Sequence, residues 1–223
     1  MKSNNVTINQ GRESVLATNG VLRNTYLLLS LTLLFSALTA GIAMATNAAI
    51  INPFVYILVF FGLFFVTART SNSAWGLVSV FALTGFMGYY LGPILNLFIH
   101  GFSNGSEIVM TALAGTGLTF LGLSAYTIIS RKDMSFLNGF IFVGCWVLLI
   151  AVIASLFLHI PALNLAISGA FVVFSSLLIM WETSRIIHGG ERNYILATVS
   201  LYISIYNLFL SLLNILGALN GRN

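Results

Sequence analysis

The uncharged run NTYLLLSLTLLFSALTAGIAMATNAAIINPFVYILVFFGLFFVTA, residues 24–68, lies between Arg23 and Arg69 and is too long for one membrane crossing. A helix rising 1.5 Å per residue needs about 20 apolar residues to span a bilayer core. Asn47 and the pair Asn52-Pro53 punctuate the run, and a proline fits the first turn of a helix. The run therefore reads as two spans, at about 25–45 and 51–68.

The same spacing of charges carries outward along the chain. Arg69 to Glu107 holds one long span, about 74–99, followed by a Gly/Ser/Asn loop, and Glu107 to Arg131 fits one helix. Asp133 to Glu182 is again double length and breaks at His159-Ile160-Pro161. The sixth helix ends near His188-Gly189-Gly190, where glycine suits a C-terminal cap. A last span occupies about 194–218. The expected fold is an all-α bundle of seven transmembrane helices. Residues 1–23 form a polar tail, 24–219 the membrane domain, and 220–223 a short second tail.

Composition agrees with this division. Of 223 residues, 58% are hydrophobic and 6% charged, with a mean hydropathy of +0.99. Soluble domains carry about 25% charged residues. Nine Lys and Arg and five Asp and Glu cannot clothe a soluble globule of this size, which excludes a soluble enzyme, a disordered chain and a nucleic-acid binder. The net charge of +4 suits loops facing an anionic membrane surface. A single cysteine excludes an intramolecular disulfide. The first 23 residues lack the apolar core of a cleavable signal, so the first span serves as an uncleaved anchor.

Orientation follows from the basic residues. With the N-terminus in the cytoplasm, Lys2, Arg12, Arg23, Arg69, Arg131, Lys132, Arg185 and Arg192 share that side and only Arg222 takes the other. The positive-inside rule then places the C-terminus in the periplasm.

Small and polar residues mark the contacts inside the bundle, because lipid removes the hydrophobic drive for helix association. Gly85, Gly88 and Gly92 form one close-packing face, and Gly115, Thr119 and Gly122 a second. On the last span, Ser200, Ser204, Asn207, Ser211 and Asn214 follow one another at steps of four, three, four and three. Amides are poorly tolerated against hydrocarbon, so this stripe faces inward. It serves either as interhelical hydrogen bonding or as the wall of a polar cavity or ion path.

Glu182 is the one acid expected within a span, and a sheltered carboxylate needs a cation. Arg185 lies three residues on, on the same helix face, and Arg69 sits at the same membrane level. The cluster reads either as an ion pair that fixes the helix or as a proton-sensitive gate. Arg131-Lys132-Asp133 reads as a cytoplasmic anchor.

Several chemistries fail on residue type. The lysines, Lys2 and Lys132, lie outside the spans, so no retinal Schiff base can form. His100, His159 and His188 stand at span ends on both sides of the membrane, which suits neither a metal centre nor an intramembrane serine protease. One loop aspartate cannot make an aspartyl dyad. The expectation is a protein that is not an enzyme and holds no cofactor.

Longer motifs carry a resemblance. Val21-Leu22-Arg23-Asn24-Thr25-Tyr26, the stretch from Gly85 to Asn96 (GFMGYYLGPILN), Arg131-Lys132-Asp133-Met134-Ser135-Phe136-Leu137 and Glu182-Thr183-Ser184-Arg185-Ile186-Ile187-His188-Gly189-Gly190-Glu191 are similar to the Bax inhibitor-1 family, as are Ala197–Tyr202 and Leu213–Gly217. The resemblance runs almost end to end. It implies a seven-helix protein of the bacterial inner membrane. It also implies a modulator, at once substrate and brake, of the membrane-bound AAA+ protease FtsH, with the HflK–HflC complex as a further partner. FtsH would grip the cytoplasmic tail that carries Lys2, Arg12 and Glu13. Other family members resemble pH-sensitive leak channels for calcium, in which two acids share a proton. Here Glu182 matches the first and Ser204 stands at the second. A lone carboxylate forms no such pair, so the resemblance covers the channel mechanism only in part.

Overall fold

The computed structural model describes residues 3–158 and 160–220, with side chains from residue 19 onward apart from Leu156. Seven helices follow in order: α1 (Ser3–Ala45), α2 (Pro53–Thr70), α3 (Trp75–Gly101), α4 (Gly105–Ser130), α5 (Leu137–Phe157), α6 (Pro161–Ile187) and α7 (Tyr194–Asn220). Each contains a segment long and apolar enough to cross a membrane, and no strand occurs among the described residues.

The helix ends follow local chemistry. The side chain of Asn52 accepts the Phe54 N–H (2.9 Å) and Pro53 opens α2, while Pro161 opens α6 in the same way. After α1, Asn47 takes a left-handed backbone (φ 48°), and the Ala48 N–H reaches back to the Ala43 carbonyl (2.9 Å). After α6, Gly189 (φ 72°) does the same, with the Gly190 N–H on the Arg185 carbonyl (2.8 Å). Both are six-to-one closures that satisfy the last carbonyls. The expected glycine cap is present.

One boundary differs from its expectation. α1 starts at Ser3 rather than near residue 25, although its membrane-capable part is Asn19–Ala45. No proline interrupts residues 3–24, and a helix already nucleated in the apolar segment elongates at little cost. Lys2 and Arg222 lie outside the described residues.

α7 is the central helix: it touches α1, α3, α4 and α6, and its long buried face runs from Ile195 to Gly217. α1 and α3 form the most extensive pair. Their crossing is built on the expected glycine face. A Cβ at Gly92 would stand 2.6 Å from the Ala43 Cβ, and one at Gly88 would collide with the Ser36 carbonyl and the Thr39 hydroxyl. The second expected face is built only in part, since a Cβ at Gly115 would stand 3.4 Å from Leu212 Cδ1 of α7. Gly122 has open space around it. α4 also buries Ala112, Thr116, Ser124 and Thr127, a parallel row of small side chains one face away. α2 leans on α3 and α5 on α6, and both turn broad apolar faces outward.

Candidate functional site

The chain's basic loops gather at one end of the bundle, and the last turns of α6 form a cluster there. Glu182 is 2% exposed. Its Oε2 accepts from Arg185 Nη1 (3.2 Å), and Arg185 Nη2 donates to Glu191 Oε2 (3.4 Å) beyond the helix end. The guanidinium lies over the Trp181 ring, 4.5 Å from its centroid, a stacking that a planar cation favours. Trp181 Nε1 in turn donates to Asn138 Oδ1 at the start of α5. Ser200 of α7 faces Glu182 from across the interface.

This cluster fastens the α4–α5 loop. Ser184 Oγ accepts the Met134 N–H (3.0 Å) and donates to the Lys132 carbonyl (3.1 Å). Arg131 takes the left-handed turn (φ 49°) that ends α4. In the loop itself, the Ser135 N–H donates to Asp133 Oδ1 (2.9 Å), and that bond holds the Asp133 carboxyl below its ordinary value. A polar pocket of about 460 Å³ lies between loop and helix, lined by Asp133, Ser135, Asn138, Trp181, Arg185 and His188, among others. The anchor expected at Arg131-Lys132-Asp133 is thus a loop latched to α6.

The structure pairs Glu182 with Arg185, as the spacing indicates, and does not bring Arg69 to it. Arg69 is exposed at the end of α2, which packs on α3 and stands away from α6. Equal depth in the membrane does not imply lateral contact.

The stripe on α7 divides in two. Ser204 is 2% exposed, and its hydroxyl returns to the Ser200 carbonyl (2.9 Å). Ser204 is thus interior packing, while Ser200, half-buried, faces Glu182. Asn207, Ser211 and Asn214 instead line a cavity of about 490 Å³ between α6 and α7, opposite Asn164 and Ser168. Asn214 itself is exposed. Ser168 was findable in the sequence, because Ser168, Ser175 and Glu182 recur every seven residues along one face of α6, and Asn164 lies one turn before it.

A second set of polar contacts crosses the bundle centre. Tyr202 donates to the Thr84 carbonyl (3.2 Å) and shares a 2.5 Å hydrogen bond with Ser36, and Tyr206 donates to the Met87 carbonyl (3.3 Å). Tyr26 of α1 meets Thr183 of α6 (3.2 Å). At the basic end, Asn193 accepts the N–H groups of Ile195 (2.9 Å) and Leu196 (3.2 Å). Its amide donates to the Ser71 carbonyl (3.2 Å) and to Asn72 (2.9 Å). It caps α7 and straps that helix to the α2–α3 turn.

No group of three His, Cys, Asp or Glu side chains converges among the described residues. The side chains of Arg12 and Glu13 and all of Lys2, expected to engage a protease, lie outside the described set.

Residues 18–221 match the family model described as "Inhibitor of apoptosis-promoting Bax1". The chain is 60% identical over 203 residues to an uncharacterized protein of Pseudomonas aeruginosa, covering 91% of each chain. It is 50% identical over 212 residues to the protein named "Modulator of FtsH protease YccA" in Escherichia coli K12, covering 95% of this chain and 96% of that one. An uncharacterized membrane protein of Vibrio cholerae is 46% identical, with 95% of each chain covered. With the seven-helix bundle and a family match across nearly its whole length, the chain belongs to the Bax inhibitor-1 family of membrane proteins.

Proposed function

We propose that this protein is an inner-membrane modulator of the FtsH protease, acting as a regulator rather than an enzyme. The observation that carries the reading is the 50% identity, across nearly all of both chains, to the protein named as a modulator of that protease. In this reading the N-terminus is cytoplasmic, as the gathering of basic residues at one end supports. The segment 1–23, with Lys2, Arg12 and Glu13, is what the protease engages. The bundle behind it, closed by α7, resists extraction, and the HflK–HflC complex is a further partner.

Deleting residues 2–20 tests the mechanism. The turnover of the shortened chain should slow, and a second FtsH membrane substrate should be degraded faster in its presence than beside the full chain. If neither lifetime changes, the tail does not engage the protease. Co-purification with solubilised FtsH tests the partnership separately.

A second reading, a pH-sensitive leak for calcium or other cations, has one observation in its favour: an acid, Glu182, buried within the bundle. Its pairing with Arg185 and the serine at position 204 weigh on the other side. Calcium flux into proteoliposomes between pH 6 and 8 decides it. Flux that is absent, or equal for Glu182→Gln and the parent chain, removes the gate.

A further inference from the structure

The cavity between α6 and α7 has an arrangement that neither reading uses. Three carboxamides and two hydroxyls, from Asn164, Asn207, Asn214, Ser168 and Ser211, face it. Ser168 returns its hydroxyl to the Asn164 carbonyl (3.0 Å). The pocket leaves the other side chains open to it rather than sealed by neighbours, with Asn207 half-buried and Asn214 exposed. An amide facing hydrocarbon is costly unless it is hydrogen-bonded, so a cavity lined by these groups favours water or another hydrogen-bonding molecule. None of the lining residues is charged.

The cavity reaches the end of the bundle opposite the basic loops. There it shares Pro161, Leu165, Asn214 and Ala218 with a wider apolar hollow of about 840 Å³, walled by Phe98, Phe102 and Leu219, among others. Asn207 lies eleven residues before Ala218 on α7, about 16 Å deeper along the helix axis. Beyond that depth the interface is closed: Ser204 is 2% exposed, Ser175 1%, and Ile179 and Leu201 0%. Glu182 lies past this seal.

We propose that the α6–α7 cavity is a blind, water-filled vestibule. It opens on the face that carries the α3–α4 loop and admits water and small water-borne solutes. It ends at Asn207 without reaching Glu182. The outer half of the α7 stripe then serves solvation from one side, while Ser204 serves packing and Ser200 faces Glu182.

Cysteine accessibility tests this in the full chain. In a Cys145→Ser background, single cysteines are placed at Ala218→Cys, Asn214→Cys, Asn207→Cys and Ser204→Cys. Ser103→Cys in the α3–α4 loop marks the side, and Leu58→Cys on the outward face of α2 marks lipid. Sealed vesicles of both orientations receive a membrane-impermeant sulfonate maleimide. Only variants that elute as folded monodisperse protein are scored, and Ala218→Cys and Asn214→Cys report if Asn207→Cys does not fold. The expected result is labelling of the 218, 214 and 207 positions from the same side as Ser103→Cys, at rates at least tenfold above Leu58→Cys, with Ser204→Cys unreactive. Labelling of positions 218 and 214 no faster than Leu58→Cys overturns the vestibule. Labelling of Ser204→Cys at a rate like that of position 214 overturns its being blind.

Discussion

Arg185 holds two carboxylates and an indole at once, so its removal strands Glu182 in a site that is 2% exposed. Breaking a buried pair costs about 3–5 kcal/mol, and an arginine one-third exposed shares part of that field with solvent. Arg185→Ala should therefore destabilise the protein by about 1–3 kcal/mol, read by thermal unfolding in detergent. Glu182→Gln should cost less, because it removes the buried charge along with the pair. Arg185→Lys should fall between, since an ammonium cannot bridge two carboxylates while stacking flat on Trp181. Equal losses for all three would show that the guanidinium geometry is unimportant. The pairing of Glu182 with Arg185 was legible in the sequence because i and i+3 share a helix face. The Glu191, Trp181 and Asn138 contacts were not, since they depend on how the chain turns after Gly189 and where α5 starts. Arg69 was misjudged for a related reason: a span's charge fixes depth, while lateral neighbours depend on packing.

At the level of helices, two glycines of similar sequence context differ in consequence. A methyl group at Gly88 meets the backbone of α1, whereas one at Gly41 meets nothing within 4 Å. Gly88→Ala should force α1 and α3 apart and cost about 1–3 kcal/mol or abolish the folded species. Gly41→Ala should be neutral or slightly stabilising, because alanine gives up less backbone entropy in a helix. Size-exclusion profiles and unfolding temperatures of the two variants separate these outcomes. The Gly85–Gly92 face was readable from spacing alone. The Gly115–Gly122 row shared the pattern and proved open on one side, so small-residue spacing marks where a close approach is allowed, and the neighbouring helix decides whether it occurs. Asn193 shows the opposite limit. It precedes α7 as an ordinary cap, yet its amide also straps the α2–α3 turn from far away in sequence. Asn193→Ala should cost about 1–2 kcal/mol, more than a lone cap with no second bond.

The whole molecule is organised around α7. Its apolar side is sealed by α1, α3, α4 and α6, while α2 and α5 ride outside on single neighbours. Amide hydrogen exchange should reflect this: slowest through Leu201–Phe209, and faster in α5, whose main ties are to α6. Uniform protection across all seven helices would contradict it. Seven spans were legible from the distances between charges, a signal that survives because a charge in hydrocarbon is expensive whatever its surroundings. Which span is central was not legible from charge, because α7 and α5 are both charge-free. Their difference lies in the polar and small residues that α7 spends on its neighbours.

The line of contacts that Thr198, Tyr202 and Tyr206 make with Thr25, Ser36, Thr84 and Met87 belongs to α7, the seventh helix in order of synthesis. Six helices are already in the membrane before these hydroxyls arrive, and until then the receiving faces of α1 and α3 wait without their partner. The order of translation thus leaves the bundle without its central helix until α7 is made, and the contacts of α7 with α1, α3, α4 and α6 form only then. A chain ended after Gly190 should insert and then be cleared rapidly by membrane proteolysis, as pulse-chase labelling would record.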